Sequence, residues 1–356
     1  MERLKTNKNL LSWWKWAVIL IMPYVILMGF LIPLGQGIVQ MSPGTIKPGQ
    51  FTEFKITGYN TKFASGGEIR AWLKHDDWHV QSQKIEVLNA REATLSFILP
   101  TFVDSTLSNV DLSLVMDTPD GPLVLPSAVN LNNIKGVIAS ESIANWSEDK
   151  LSPHIESNFN YPFRNVLGET IRNTYFHVPL WFAMVTLFGA SVYFSIKFLR
   201  NKNIADDIRA ESLVLVGVLF GILGTITGSL WAKYTWGSYW SFDVKQNMAA
   251  ISLLIYGGYF LLKKSITDPD GKGRIGSIYN IFAFAISMPL IFIIPRRFDS
   301  LHPGNGGNPA LGTQDLDNTM RLVFYPAVIA YILLGLWIAQ ITNRIKLIIN
   351  KLNLSN

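Results

Sequence analysis

The 356-residue chain contains no cysteine. Disulfides, thiolate metal centres and a CxxCH site for covalent haem attachment are therefore all excluded. Charge is also scarce. Asp, Glu, Lys and Arg make up 16% of the chain, against about 25% in ordinary soluble domains. Histidine occurs only five times, so each one can be weighed separately. No low-complexity tract or solenoid repeat is present. The missing charge is replaced by apolar residues, 49% of the total, and these are gathered into long runs.

Six such runs stand out: Trp16–Leu34, Val178–Ile196, Ser212–Trp231, Met248–Leu262, Ile275–Ile294 and Leu322–Ile341. Most approach the roughly 20 residues needed to cross a bilayer core. The fourth is short, closely bounded by Asn247 and Lys263, and spans only with thinning or snorkelling. Basic clusters stand before the first run (Arg3, Lys5, Lys8, Lys15), in alternate loops (Lys197 to Arg209, Lys263 to Arg274) and after the sixth (Arg344, Lys346, Lys351). If every run spans, all of them fall on one side, which the positive-inside rule makes the cytoplasm. Both termini are then cytoplasmic, and the net charge of +6 requires no nucleic-acid partner. The first run is too long for a signal-peptide core and lacks a small-x-small cleavage site, so it reads as a retained anchor.

The polar stretch from Gly35 to Phe176 falls outside. Phe51-Thr-Glu-Phe-Lys-Ile, Ala93-Thr-Leu-Ser-Phe-Ile-Leu and Val110-Asp-Leu-Ser-Leu-Val-Met alternate as strands do, and Pro119-Asp-Gly-Pro marks a turn. Met41-Ser-Pro-Gly-Thr-Ile-Lys-Pro-Gly-Gln resembles the opening of an immunoglobulin-like module. The expected fold is predominantly α: a polytopic membrane protein with six transmembrane helices plus an all-β, immunoglobulin-like extracytoplasmic sandwich. The expected divisions are a cytoplasmic segment with the first helix (1–35), the β domain (36–135), a linker with a short helix near Val166–Arg172 (136–173), a five-helix membrane domain (174–343) and a cytoplasmic tail (344–356).

The densest chemical signal is Trp236-Gly-Ser-Tyr-Trp-Ser-Phe-Asp243, on the outer side between the third and fourth helices. It can be an interfacial aromatic belt in which Asp243, with Gln246, forms a capping box on the fourth helix. It can equally be a shelf for a large, flat, apolar ligand, since a belt does not require such spacing. His177 at the mouth of the second helix and His302 in the loop after the fifth lie on the same side. Each alone reads as an ordinary interfacial histidine. Together, flanking an aromatic platform, they would make a six-coordinate haem b site. Arg296, Arg297, Lys245 and Lys233 could neutralise propionates or bind lipid headgroups. His75 and His79 read as exposed polar residues of a strand-and-turn region, and His154 carries no role. The run Gly304-Asn-Gly-Gly-Asn reads as a tight turn beside His302, not a phosphate loop.

The Trp236–Asp243 segment resembles the tryptophan-rich WWD signature, close to WGxxWxWD, of the haem-handling proteins of cytochrome c assembly (the CcmC, CcmF and CcsA group). Tyr175-Phe-His-Val-Pro and Ser300-Leu-His-Pro-Gly resemble that family's two histidine segments, and six helices with both termini inside look like CcmC in particular. The resemblance covers roughly 172–342 plus the first helix. It implies that His177 and His302 ligate the iron of haem b. It also implies that Trp236, Gly237, Tyr239, Trp240, Phe242 and Asp243 form the platform, with Lys245, Arg296 and Arg297 towards the propionates. The expected function is non-enzymatic: haem is held at the outer face of the cytoplasmic (inner) membrane and passed to a CcmE-like haem chaperone, with a CcmA/CcmB-like ABC transporter releasing it. Phe242 departs from the signature by replacing a tryptophan. Asp243-Val-Lys-Gln resembles instead the D-P-K-E of CcsA-type synthases, which would attach haem to an apocytochrome c docked on the β domain. An unrelated transporter or sensor is the third reading, but the six runs carry no charge near mid-membrane.

Overall fold

The computed structural model describes residues 12–99, 109–132, 146–151, 159–302 and 316–355. His154 and the glycine-rich run after His302 lie outside these. The chain divides into a helical unit, Met1–Ile32 with Glu169–Asn356, and a β unit, Pro33–Gly168.

In the β unit, nine strands among the described residues form two sheets. They are β1 (Gly37–Ser42), β2 (Thr45–Ile46), β3 (Phe51–Tyr59), β4 (Arg70–His75), β5 (Trp78–Gln81), β6 (Lys84–Val87), β7 (Glu92–Ile98), β8 (Asn109–Thr118) and β9 (Gly121–Asn132). One sheet has the order β1-β3-β7-β6 and the other β2-β9-β8-β4-β5. All pairings are antiparallel except β2 with β9. The alternation seen in the sequence produces the burial: Val110, Leu112, Leu114 and Met116 point inward from β8, and Phe54 and Ile56 from β3. Both sheets feed one hydrophobic core. The β8–β9 hairpin closes at the Pro119–Asp120 turn, with Thr118 opposite Gly121. Residues 146–149 and 159–168, read from the sequence as linker, are tied to this unit. Ser147 bridges His79, and Tyr161 pairs with Leu34 through Gly35 N–H to Tyr161 O at 2.7 Å and Tyr161 N–H to Pro33 O at 2.9 Å.

The helical unit holds α1 (Trp13–Leu31), α2 (Thr174–Asn201), α3 (Ile204–Trp236), α4 (Val244–Ser265), α5 (Pro269–Phe292) and α6 (Asn318–Ser355). A short 3₁₀ turn, Gly168–Asn173, precedes α2. Its Arg172 donates to Gly29 O and Ile32 O, satisfying carbonyls at the end of α1. Among the described residues five helices are long and apolar enough to cross a membrane, and with a polytopic arrangement this is a membrane protein. The exception is α4. Its buried face is polar, made of Gln246, Ser252, Tyr256, Tyr259 and Lys263. The Lys263 side chain is 4% exposed, and its ammonium is paired with Asp207 and Glu211 of α3, each at 2.8 Å, while Lys346 of α6 closes on Glu211 at 2.6 Å.

The packing of α2 on α3 rests on glycines. A Cβ built at Gly217 would meet Phe188 at 2.5 Å, at Gly221 Leu253 of α4 at 2.5 Å and Met184 at 2.8 Å, at Gly224 Trp181 at 3.0 Å and at Gly228 His177 at 2.6 Å. The α2 series descends as the α3 series ascends, so the helices run antiparallel, each glycine seating a large side chain of α2. Small residues that let helices approach closely are the usual basis of association where no hydrophobic driving force operates.

Candidate functional site

His177 is fixed by this packing. It occupies the hollow left by Gly228, and its Nδ1 lies 3.0 Å from Gly224 O and 3.1 Å from Thr227 Oγ1. The carbonyl can only accept, so Nδ1 carries the proton and donates. Trp181, one helical turn further along α2, stands edge-on to the ring at 6.1 Å.

His302 is fixed differently. Asp243 ends the aromatic segment and caps α4, its Oδ1 accepting the Lys245 N–H at 2.8 Å. The same oxygen lies 2.8 Å from His302 Nδ1, while Oδ2 accepts the Leu301 N–H at 2.9 Å. One buried carboxylate thus starts a helix and holds a loop across 59 positions of sequence. Burial opposes its ionisation, but a hydrogen bond from Ser300, electrostatic attraction to His302 and hydrogen bonds from the Lys245 and Leu301 amides together hold its pKa below the usual aspartate value. Burial lowers the His302 pKa against the pull of that carboxylate, and because the carboxylate oxygen can only accept, Nδ1 carries the proton and donates it. Trp236 meets the ring edge-on at 4.7 Å and Trp231 is tilted at 5.9 Å. In both histidines Nδ1 is engaged, and Nε2 makes no hydrogen bond among the described residues.

Both rings line one cavity of about 180 Å³, whose wall also includes Trp181, Trp240, Lys245 and Ile291. Of the residues expected from the sequence, His177, His302, Trp240 and Lys245 meet there. Trp236 and Asp243 stand behind His302. Gly237, at φ +83°, ends α3 in a left-handed turn that the bare backbone of glycine accommodates. Tyr239 and Phe242 are 58% and 78% exposed, and Phe242 holds a left-handed backbone with φ +56°. Arg296 and Arg297 are exposed on a 3₁₀ turn, Ile294–Arg297, beyond the cavity wall. The expected capping box does not form: Gln246 reaches past Asp243 and accepts from Ser241 N–H and Oγ–H. Trp181, Gly224, Thr227 and Gly228 were not singled out by sequence reasoning. Their trace was the repeated three- and four-residue spacing of glycines in α3.

A neutral, oriented imidazole with a free Nε2 is the form that ligates a metal, and two of them facing one apolar, tryptophan-walled space suit a planar iron cofactor. Residues 156–355 match the family model CcmC, heme exporter protein C. Relatives named heme exporter protein C include that of Bradyrhizobium diazoefficiens, 27% identical over 47% of this chain and 63% of its own length. That of Paracoccus denitrificans is 22% identical over 50% of this chain and 73% of its own. That of Escherichia coli K12 is 22% identical over 47% and 66%. The chain thus spans a little under two thirds of the Bradyrhizobium relative.

Proposed function

The chain belongs to the CcmC, heme exporter protein C, family, and we propose that it binds haem b at the outer face of the cytoplasmic membrane and delivers it for c-type cytochrome biogenesis. The observation that carries this reading is the pair of Nδ1-anchored histidines lining one cavity. Haem, when bound, supplies an iron centre and two anionic propionates. His177 and His302 would ligate the iron. Tyr239, Trp240 and Phe242 would pack the macrocycle, Trp236 would brace His302, and Gly237 lets the chain turn between them. Lys245, Arg296 and Arg297 would neutralise the propionates. The cavity is smaller than the roughly 300–1,000 Å³ of sites that engulf a ligand, so the macrocycle would reach beyond it. That suits a carrier that must let go, and it gives the exposed Tyr239 and Phe242 a purpose. The recipient in this reading is a CcmE-like haem chaperone, released by a CcmA/CcmB-like ABC transporter, and the protein breaks no bond itself.

The same reading makes α4 a sixth span. From Asp243 to Lys263 is about 20 residues, or ~30 Å of helix, the thickness of the hydrocarbon core. The ionic cluster at Lys263 then marks the cytoplasmic interface, both termini are cytoplasmic, and residues 36–176 are periplasmic. The β unit is read as an immunoglobulin-like sandwich. Its orders β1-β3-β7-β6 and β9-β8-β4 follow the ABED and GFC sheets of that fold, which supports the assignment.

The test is an absorption spectrum of the full chain purified in detergent. A six-coordinate, low-spin haem is expected, and protein that takes up no haem from solution would overturn the proposal. The Asp243-Val-Lys-Gln segment favours one second reading, a CcsA-like synthase. Covalent haem appearing on an added CxxCH apocytochrome would select it.

A further inference from the structure

The two histidines are backed by unequal partners. His302 donates Nδ1–H to a buried carboxylate that is itself clamped by the Lys245 and Leu301 amides. His177 donates to a neutral carbonyl and touches a hydroxyl. A hydrogen bond to a carboxylate draws the Nδ1 proton away and pushes electron density towards Nε2, raising the basicity of the ring as a ligand. A peptide carbonyl does so far less, because it carries no net charge. Their surroundings differ in the same sense. His302 packs against two indoles, Trp236 and Trp231, and is tied through Asp243 to the first turn of α4, whereas His177 sits in the hollow at Gly228 with one indole, Trp181, edge-on to it.

We infer that Asp243 is a positioning residue that makes His302 the stronger nitrogen donor of the pair, with His177 the weaker. The inference rests on the haem-binding reading above. It assigns Asp243 a role behind the ligand, where the aromatic segment alone suggested a helix cap or a platform residue. It also gives the segment's order a reason: the aromatic residues and the residue that sets the ligand are delivered by one turn, and the helix begun by Asp243 keeps them in register.

The decisive experiment compares Asp243→Asn, Asp243→Ser and Thr227→Val in the full chain. Asn and Ser both still cap a helix, so capping is held nearly constant while the charge is removed. Both are expected to raise the haem midpoint potential, since an anionic partner favours ferric iron, and to speed haem loss about 10–100-fold. Thr227→Val leaves the Gly224 carbonyl in place and shifts the potential less. Equal shifts from Thr227→Val and Asp243→Asn, or an unchanged potential in Asp243→Asn, would overturn the inference. The haem-free wild type supplies a check that needs no variant: side-chain ¹⁵N resonances should report the Nδ1–H tautomer at His302, and an Nε2–H tautomer refutes the assignment. Wild-type protein that shows no bis-histidine haem spectrum at all is a different failure, that of the haem-binding reading itself.

Discussion

Substituting Gly228 with alanine isolates the role of the α2–α3 packing. The new Cβ would stand 2.6 Å from His177 Cε1, where ordinary contact begins at 3.4 Å, so the ring must retreat by about 0.8 Å. Its Nδ1 bonds are 3.0 and 3.1 Å long, and a displacement of that size breaks or bends both. Two costs follow. Overpacking should destabilise the helical unit by about 1–3 kcal/mol. Loss of the ring's anchoring should weaken haem retention roughly 10–100-fold, the usual penalty for disturbing the support of a metal ligand. The control is Gly257→Ala in α4, where an added Cβ meets nothing within 4 Å; helix propensity alone predicts a gain of up to ~1 kcal/mol there. Haem absorption and thermal unfolding should be recorded for both variants in detergent. If Gly228→Ala keeps the wild-type spectrum and haem-loss rate, the argument that the glycine seats the ligand is wrong.

Other outcomes can be set out briefly. His177→Ala and His302→Ala should each lose low-spin absorption, with partial recovery on adding imidazole; wild-type spectra in both would remove the bis-histidine assignment. Lys263→Met strands Asp207 and Glu211 with one fewer buried cation and should cost about 3–5 kcal/mol in unfolding experiments, while haem affinity in the surviving folded fraction stays as it was. Trp236→Ala, which strips the edge-on partner of His302, should accelerate haem loss more than Trp13→Ala, whose indole is 82% exposed; equal effects would return the aromatic segment to a membrane belt. Joining Leu34 to Tyr161 through a short flexible linker, so that the β unit is removed, should leave the haem spectrum intact and impair delivery, and a much faster haem loss would instead make that unit part of the site.

Parts of this architecture were plain in the sequence because they rest on local periodicity. Strands β7 and β8 alternate cleanly, and the turn between β8 and β9 is announced by Pro119-Asp-Gly-Pro. Five helices are equally plain from continuous apolar runs. α4 was read as a short run ending at Asn247 and Lys263, yet the helix is 22 residues long. Its C-terminal end was hidden because the charge that should have bounded it, Lys263, is satisfied by Asp207 and Glu211, 56 and 52 positions away. The partnership of Asp243 with His302 was invisible for the same reason: a side chain that caps its own helix gives no sign of a second bond to a remote loop. The glycine seats were written at regular spacing, but only the facing side chains of α2 give that spacing meaning.

The bridge between Leu34 and Tyr161 carries a consequence for how such a chain could be assembled. These two residues, near the ends of the β unit, are pinned side by side and run parallel, with Asn60 adding a bond to Leu34 O at 3.1 Å. An insert whose ends already meet within its own fold leaves only a short loop to close, so it costs the surrounding chain little entropy, because that penalty grows with loop length. The bridged pair, and not any surface of the unit, is therefore the place to cut when transplanting it onto another membrane host.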